Sequence, residues 1–286
     1  RMSLEKYRVT KPISLKKIST KEVEEDAKKK LKKLRKKLSD LQNAMYAEGK
    51  FAVLICLQGM DTSGKDSLVR EVFKDVNPRG VEVHSFKVPT ELELNHDFLW
   101  RHYIVLPEKG KMGIFNRTHY ENVLVTRVHP NYILNENIPN ISKVEDLDDA
   151  FYHDRMERIN QFENHLVKNG TIVLKFFLNL SKSEQKSRLL RRLNLQEKNW
   201  KFSPADLKER KLWDEYQFCY EDAINRTSKE NAPWFIIPAD DKPTARLRLA
   251  EILLEELEKY DFKEPKLSPE LLAHLDDFKA QLNNEQ

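Results

Sequence analysis

Residues 51–65 read FAVLICLQGMDTSGK, an unbroken apolar run that ends in a loop framed by Gly59 and Gly64 and carrying Lys65. After the loop, apolar residues recur at helical spacing: Leu68, Val69, Val72, Phe73 and Val76. A strand, a G-x-x-x-x-G-K loop and a helix in this order are typical of a Walker A phosphate-binding loop, with an ordinary glycine turn as the alternative. The N–H groups of such a loop converge on phosphate oxygens, and the helix N-terminus and the lysine add positive charge. The phosphate-binding residues predicted here are Gly59, Met60, Thr62, Ser63, Gly64 and Lys65.

Two aspartates make this loop unusual. Asp66 stands where most Walker A loops place a Ser or Thr that holds magnesium, and we keep it as a candidate nucleotide contact. Asp61 lies inside the loop, where a carboxylate is repelled by phosphates unless a divalent cation sits between them. We interpret Asp61 as a magnesium ligand or as the acceptor of a proton from the incoming phosphoryl acceptor. A turn-capping aspartate is the alternative.

The composition excludes several classes of protein. The 286 residues carry 50 Lys and Arg against 46 Asp and Glu, so the net charge is +4 although 34% of residues are charged. Nucleic-acid-binding proteins more often have a one-sided excess, and we expect no nucleic-acid partner. Cys56 and Cys219 give neither a disulfide framework nor metal-ligand spacing. The sequence has no signal peptide, long apolar segment or lipidation motif, which predicts a cytoplasmic protein with no membrane partner.

The order of elements predicts an α/β fold. Residues 1–18 are expected to form an extended arm, and Ser19-Thr20-Lys21-Glu22 is typical of a capping box that opens a helix ending at Gly49. Predicted strands at 51–57, 81–88, 111–116, 171–178 and 234–237 alternate with predicted helices at 91–106, 146–169, 181–195, 203–226 and 245–260. Because the strands are apolar rather than alternating, we expect a parallel sheet covered on both faces. The domain boundaries predicted are 1–18, 19–264 and 265–286, the last being a helix or tail.

The carboxyl ends of parallel strands meet at the edge of the sheet where ligands bind. The strand at 111–116 brings Asn116 and Arg117 to this edge, with Glu121 close behind. Asn116 stands in the place of the Walker B carboxylate and offers only a neutral carbonyl. Metal binding therefore falls on Asp61, with Asn116 or Glu121 as a further candidate ligand. Arg117 is suited to clamp phosphate bidentately, with a surface salt bridge as the alternative.

A basic segment follows the fourth predicted strand, and we interpret it as a lid at about residues 184–205. Phosphoryl transfer needs water excluded and the phosphate charge neutralised. A solvated basic face is the alternative. Its basic and aromatic residues are Arg188, Arg191, Arg192, Lys198, Trp200 and Lys201. Further candidate phosphate contacts are Lys87, Arg101 and Arg127, whereas His119 and His129 are interpreted as structural.

The lysine run between residues 28 and 37 alternates with an apolar stripe at helical period. This pattern favours a solvated helix face, and an anion-binding patch is the alternative.

Several of these motifs, in register, resemble family-2 polyphosphate kinases. They are GMDTSGKD at 59–66, LWRHY at 99–103, GIFNRTHYE at 113–121, Glu184-Gln185 with Arg188, and NWKFS at 199–203. The similarity spans about residues 61–242. It implies a P-loop kinase-like three-layer fold with a parallel five-stranded sheet and a helical lid. It also implies transfer of phosphoryl groups between inorganic polyphosphate and nucleotides, with Mg²⁺ or Mn²⁺, by a homo-oligomer that is a dimer or tetramer.

The resemblance also implies roles for single residues. The loop aspartate and lysine of the family fall on Asp61 and Lys65, and its second acidic position falls on Asn116. Its two arginines fall on Arg117 and Arg188, so that Asp61, Lys65, Arg117 and Arg188 are the predicted catalytic residues. Members that prefer nucleoside diphosphates carry Asp and Asn where this chain has Asn116 and Glu121. The Asn/Glu pair resembles the subclass that accepts both AMP and ADP, with GMP and GDP as further candidate substrates.

Two other functions are compatible with a phosphate-binding loop. One is an ATP-dependent nucleoside monophosphate kinase resembling thymidylate kinases, which would not depend on polyphosphate. The other is a nucleotide-binding switch protein without phosphotransfer, which would bind nucleotide without turnover. Asp66, Asn116 and the segment at 199–203 argue against the first, and the balanced charge argues against a nucleic-acid-associated form of the second.

Overall fold

Five parallel strands form one sheet in the order β2-β3-β1-β4-β5. The computed structural model describes residues 4–285. Its strands are β1 (Ala52–Gly59), β2 (Val81–Ser85), β3 (Met112–Asn116), β4 (Thr171–Asn179) and β5 (Trp234–Pro238). Its longer helices are α1 (Ala27–Glu48), α2 (Lys65–Val72), α7 (Asp149–Lys168), α8 (Lys182–Asn194), α9 (Pro204–Lys211), α10 (Trp213–Thr227), α11 (Lys242–Glu258) and α13 (Leu275–Asn283). Helices of four or five residues are α3 (Glu91–Leu94), α4 (Trp100–Tyr103), α5 (Val125–Val128), α6 (Asn131–Leu134) and α12 (Pro269–Ala273).

Helices cover both faces of the sheet. Every residue of β1 is buried, because alternate side chains enter two different cores. Val53, Ile55 and Leu57 pack with the apolar stripes of α1, α2 and α11. On the opposite face, Leu54 and Cys56 pack toward α7. The predicted three-layer α/β fold with a parallel five-stranded sheet is therefore confirmed.

The predicted capping box is wrong, since α1 begins at Ala27 rather than after Ser19. Its side chains make tertiary contacts instead of capping a helix. Thr20 Oγ1 donates to Asp240, and the Glu22 carboxylate accepts from Tyr7 and Arg248. The local pattern is that of a capping box, but residues distant in sequence bind the same polar groups, so no helix begins at Ser19.

Three other predicted boundaries also need correction. The predicted helix at 91–106 is only two single turns, α3 and α4, since Asp97 Oδ1 accepts from the Leu99 N–H and stabilises a turn between them. The predicted helix at 203–226 is interrupted at Leu212, between α9 and α10. β2 ends at Ser85 rather than Val88, so Phe86 and Lys87 lie in the loop that follows.

Residues 4–18 of the predicted arm lie against the domain, and residues 1–3 lie outside the described part. Arg8 forms an antiparallel bridge with Phe235 of β5, and its guanidinium pairs with Glu256 at 2.8 Å. Tyr7, Val9 and Leu15 are buried. At the other end, α12 and α13 form exposed helices within the predicted C-terminal segment. Among residues 4–285, none of the helices is both long and apolar enough to cross a bilayer.

Candidate active site

The loop between β1 and α2 folds into a cradle, residues Gly59–Lys65. Gly59 is needed for close approach, since a Cβ there would lie 2.7 Å from Ser63 Oγ and 3.1 Å from Leu178. Gly64 has φ +99°, a left-handed conformation that favours glycine. Lys65 Nζ donates to the Gly59 carbonyl at 2.8 Å, which folds the lysine back over the loop. The backbone therefore has the shape that the Walker A pattern predicts.

Lys65 is easier to deprotonate than an ordinary lysine. Burial and, to a lesser degree, the positive charge of Arg117 lower its pKa to about 8, against the opposing effect of Asp61, Glu121 and Asp66. A bound phosphate would restore the charged form. The lysine thus lies in a site where burial and Arg117 outweigh the nearby carboxylates and destabilise its positive charge.

Arg117 follows β3 directly and lies in the left-handed region, with φ 57°. Its N–H donates to the Leu57 carbonyl at 3.2 Å, so its backbone is fixed to β1 while its side chain is exposed. Thr62 in the cradle is also left-handed, with φ 66°. A non-glycine residue in this region costs on the order of 1 kcal/mol. Both residues with left-handed backbone line the same cleft.

Arg188 is buried at the base of the lid helix α8. Its Nη1 donates to the carbonyls of Thr62 and Ser63 at 2.9 and 3.2 Å, and its Nη2 donates to those of Ala239 and Asp240 at 2.7 and 3.0 Å. Its Nε donates to Glu184, so every N–H direction of the guanidinium has a protein partner. Arg188 therefore joins the lid, the cradle and the loop before α11. That it also contacts phosphate stays a prediction.

Three buried oxygens of the cradle region have no hydrogen-bond donor within residues 4–285: Asp61 Oδ2, Thr62 Oγ1 and Asn116 Oδ1. Asn116 uses its amide nitrogen to donate to Asp66, which leaves its carbonyl oxygen for another partner. Oxygens of this kind suit Mg²⁺, which binds few protein ligands and keeps waters and substrate phosphates. No group of three or more acidic, His or Cys side chains in the described chain converges on a metal position. Any divalent ion here would rely on Asp61, neutral oxygens and the substrate.

A cleft of about 1080 Å³ opens from the cradle toward the lid. It is lined by the cradle, by Asn116 and Arg117, and by predicted lid residues. The predicted basic residues that the structure brings together here are Lys65, Lys87, Arg117, Arg188, Arg191, Arg192, Lys198 and Lys201. Sequence reasoning missed Lys242, at the start of α11, and Asp206, on α9. The only available signal for Lys242 was the Asp-Lys-Pro start of a helix after a strand, which points to no ligand by itself.

Lys242 resembles Lys65 electrostatically. Burial, together with the positive charges of Arg188, Arg246 and Arg191, lowers its pKa to about 8. A Cβ on Gly64 would lie 3.8 Å from its side chain, so Lys242 borders the cradle. The cleft thus has a second cation whose charge is destabilised in the absence of an anion.

The lid contacts the cradle through carboxylates as well. Arg192 Nη1 lies 3.7 Å from Asp61 Oδ2 and 3.4 Å from Asp206 Oδ2. Gln185 of α8 donates to the Asp61 carbonyl at 3.0 Å. Burial and the charge of Asp61 raise the pKa of Asp206. Asp61 Oδ1 also accepts from the N–H of Thr62, so the turn-capping role that was the alternative is present, while Oδ2 accepts no hydrogen bond among residues 4–285.

A buried ionic cluster, residues His119, Tyr120, Glu163 and Lys175, lies directly behind the loop that carries Arg117. Glu163 Oε1 accepts from Tyr120 Oη at 2.6 Å and lies 2.8 Å from His119 Nε2. Glu163 Oε2 accepts from Lys175 Nζ at 2.6 Å. Burial alone raises the pKa of Glu163, but Lys175 and His119 outweigh it and hold the pKa below its ordinary value. The structural interpretation of His119 agrees with these contacts.

Other predicted site residues lie outside the cleft. Arg101 is buried and donates to the Lys87 carbonyl at 2.8 Å, so it supports the loop that carries Lys87. Arg127 pairs with Asp149 and Asp222, both at 2.7 Å, and borders a separate cavity near α7 and α10. The structure therefore does not bring Arg101 or Arg127 to the cleft beside the cradle. His129 lies near Glu209, 2.9 Å away, as expected of a structural histidine.

Glu121 and Met60 also lie off the cleft wall. Glu121 accepts from Gln58 Nε2 at 3.1 Å, and the carbonyl oxygen of the same Gln58 side chain accepts from the Thr118 N–H at 3.0 Å. Gln58 thereby joins β1 to the loop after β3. Met60 is buried in the core facing α7 and α10, so only its backbone belongs to the cradle.

The comparisons with known proteins agree with this geometry. The family described as Polyphosphate kinase 2 (PPK2) matches residues 21–265. The chain belongs to the polyphosphate kinase 2 family. A protein of Rhodopseudomonas palustris named ADP-polyphosphate phosphotransferase is 46% identical over 246 residues, 86% of this chain and 84% of that protein. One of Meiothermus ruber named AMP/ADP-polyphosphate phosphotransferase is 47% identical over 225 residues, 79% of each chain.

The fold of the kinase is similar to a solved one as well. A crystal structure of Polyphosphate Kinase 2 from Arthrobacter aurescens TC1 superposes with a TM-score of 0.88 at 36% identity, covering 98% of this chain and 96% of that one. The prediction of a phosphotransferase of this family is confirmed. Family membership argues against both alternatives, the ATP-dependent nucleoside monophosphate kinase and the switch protein without phosphotransfer.

Proposed function

We propose that the enzyme transfers the terminal phosphoryl group of inorganic polyphosphate to both AMP and ADP. The observation that carries this proposal is the pairing of Asn116 with Asp66 at the edge of the cradle. Compared with members that carry Asp at the position of Asn116, the neutral amide leaves the cradle edge with one negative charge fewer. Glu121 places a carboxylate beside Gln58, where those members carry Asn. The Meiothermus ruber relative, whose name includes both AMP and ADP, supports the same assignment.

In the proposed reaction a phosphate oxygen of the nucleotide forms a bond to the terminal phosphorus of polyphosphate. The bond from that phosphorus to the bridging oxygen breaks, and the polyphosphate chain, one phosphate shorter, leaves with the bridging oxygen and its electron pair. Lys65 and the cradle N–H groups hold the phosphates, and Arg117 stabilises charge on the equatorial oxygens of a loose transition state. Arg188 keeps the cradle carbonyls in place and aligns the lid with them. GMP and GDP are proposed as further acceptors.

Asp61, with the Asn116 carbonyl, is proposed to hold Mg²⁺ or Mn²⁺, since neither Asp61 Oδ2 nor Asn116 Oδ1 accepts a hydrogen bond among residues 4–285. When bound, the metal ion neutralises phosphate charge at the reaction centre. Glu121 stays a less direct candidate because Gln58 already binds one of its oxygens. We also propose that the enzyme acts in the cytoplasm as a homodimer or homotetramer, and light scattering on the purified protein tests the oligomeric state.

The decisive assay incubates the purified enzyme with Mg²⁺, polyphosphate and either AMP or ADP, and follows ADP and ATP by chromatography. Both acceptors should be phosphorylated, and Lys65→Ala and Asp61→Ala should abolish the signal without loss of folded structure. The Asn116→Asp, Glu121→Asn double variant should retain ADP phosphorylation and lose most AMP phosphorylation. A wild-type enzyme that phosphorylates ADP but not AMP would contradict the proposed specificity.

A further inference from the structure

Six lysines of α1 have no carboxylate partner within the described residues: Lys28, Lys29, Lys32, Lys33, Lys36 and Lys37. All six are exposed. The seventh lysine of this run, Lys30, pairs with Glu24. Charges that fold stability requires are normally paired, whereas ten residues of α1 here carry six positive charges that the protein does not neutralise.

The lysine run begins at the end of the molecule where the cleft opens. α2 and α11 both start at the cleft, and α1 runs beside them in the same direction. Close to the start of α11, the Glu24 N–H donates to Thr244 Oγ1 at 2.9 Å. Further along α1, Arg35 Nε lies 3.1 Å from Asp75, just beyond the C-terminal end of α2. The N-terminal half of α1 is therefore the half nearest the cleft.

The six lysines form two stripes of equal charge. Because an α-helix has 3.6 residues per turn, residues four apart share a face. The near stripe, Lys28, Lys32 and Lys36, is next to Arg35, whose side chain contacts the α2 side. The far stripe, Lys29, Lys33 and Lys37, is turned about 100° away from it. Each stripe spans about 12 Å of the helix.

Cations also extend from the cleft along α11 toward α2. Lys242 and Arg246 are four residues apart on α11, so they share a face. Burial lowers the pKa of Arg246, and Arg70 and Arg188 add to this effect against the charge of Glu71. Arg246 is thus close to cations of both α2 and the lid. The carboxylate of Glu71 pairs with Arg70 at 3.1 Å, which reduces its repulsion of an anion.

We propose that the near stripe, with Arg246 and Lys242, is a second binding surface for polyphosphate, which holds the part of a long chain that extends beyond the reaction centre. The inference rests on the proposed function. A flexible polyanion needs a row of cations rather than a shaped pocket, and exposed lysines adapt to a chain of repeating charge. Short donors such as tripolyphosphate would be too short to reach α1 from the cradle.

The test compares two triple variants that remove the same charge from the same helix: Lys28→Gln, Lys32→Gln, Lys36→Gln against Lys29→Gln, Lys33→Gln, Lys37→Gln. The near-stripe variant should raise KM for long-chain polyphosphate about tenfold, because three exposed ion pairs with the phosphate chain are removed together. The far-stripe variant should raise it about twofold or less, through the general field alone. With tripolyphosphate as donor the two variants should have equal KM values. The near-stripe variant should also weaken the salt dependence of long-chain binding.

Direct binding separates this inference from the proposed function. Calorimetric titration of both variants with long-chain polyphosphate, without nucleotide, should show a larger loss of affinity for the near-stripe variant than for the far-stripe variant. The inference would be overturned if both variants lost the same affinity for long-chain polyphosphate. It would also be overturned if the near-stripe variant lost as much affinity for tripolyphosphate as for the long chain. Single-stranded DNA bound as tightly as polyphosphate would overturn it too, because the surface would then be a general polyanion site. If the wild-type enzyme binds long-chain polyphosphate but transfers no phosphoryl group, the proposed function is wrong and the proposed binding surface is not contradicted.

Discussion

Two groups of charged side chains lie on opposite sides of the loop that follows β3. Behind the loop, Glu163, Lys175 and His119 are fully buried, and each charge has a protein partner. In front of it, Arg117 and Lys242 border an open cleft. Neither of these two cations has a carboxylate oxygen within 4.0 Å among residues 4–285. The loop after β3 therefore separates buried charges that are paired within the protein from cleft cations that have no carboxylate partner among residues 4–285.

The difference shows how the protein uses charge. A buried charge is tolerated only when its partners are built into the fold, so the cluster around Glu163 fixes the position of the loop. In the cleft, burial lowers the pKa of Lys65 and Lys242, and repulsion from neighbouring arginines adds to this effect. A bound phosphate completes the cleft in the same way as Glu163 completes the cluster behind it.

The largest expected effect comes from removing a cleft cation. Arg117→Ala should lower kcat about 10³-fold, because the arginine stabilises charge that develops during transfer. The midpoint of urea unfolding should stay close to that of wild type, since no protein partner is left unpaired. Together, kcat and the midpoint of urea unfolding test whether the charge of Arg117 acts on the substrate or stabilises the fold. A large loss of stability with modest kinetic change would place Arg117 with the structural charges.

The buried cluster should respond in the opposite way. Glu163→Gln leaves the Lys175 ammonium without its counter-charge, and the free energy of unfolding should fall by about 3 kcal/mol in urea titrations. The Glu163→Gln, Lys175→Met double variant should regain part of this loss, because neither buried charge then remains. If the single variant is as stable as wild type, the cluster does not support the loop.

The pH dependence should report the two lysines with lowered pKa. Their positive charge is lost above about pH 8, so kcat/KM should fall about tenfold for each pH unit and each proton lost. The Lys242→Arg variant keeps its charge and should show the shallower, one-proton fall that Lys65 alone produces. Initial rates at low substrate between pH 7 and about 9.5 measure the slopes. A flat profile through that range would contradict the picture of an incomplete cationic site.

An exposed pair provides the smallest effect. Arg158 and Asp154 lie 2.8 Å apart on the surface of α7, and both side chains are more than 60% exposed. Arg158→Ala should change the free energy of unfolding by less than about 0.5 kcal/mol, because solvent screens such pairs. A value near that of Glu163→Gln would mean that burial does not distinguish the two kinds of charge.

The sequence predicted the elements whose conformation depends on neighbouring residues. The cradle was predicted because Gly59, Gly64 and Lys65 act within one turn of chain. The sheet was predicted because β1, β3 and β5 are largely apolar and buried. The same local reasoning failed at Ser19–Glu22, where Tyr7 and Arg248, distant in sequence, bind the Glu22 carboxylate.

The candidate site was predictable to the same degree. Residues that follow the ends of β1 and β3 were found, since the sheet topology brings those ends together. Lys242 and Asp206 were not found, because only the packing of α11 and α9 against the cradle brings them there. For Arg188 the sequence indicated the location but not the hydrogen bonds, which are with carbonyls from two distant loops.

The bridge between Arg8 and Phe235 has a consequence for the solution behaviour of the molecule. β5 lies at one edge of the sheet, and an unpaired edge offers free N–H and carbonyl groups to any other extended chain. The N-terminal arm covers this edge in antiparallel fashion and is held by Arg8 to Glu256. At the other edge, β2 is only five residues long and carries the charge of Glu82. The two edges are thus protected by different means against self-association into aggregates, one by a covering segment and one by brevity and charge.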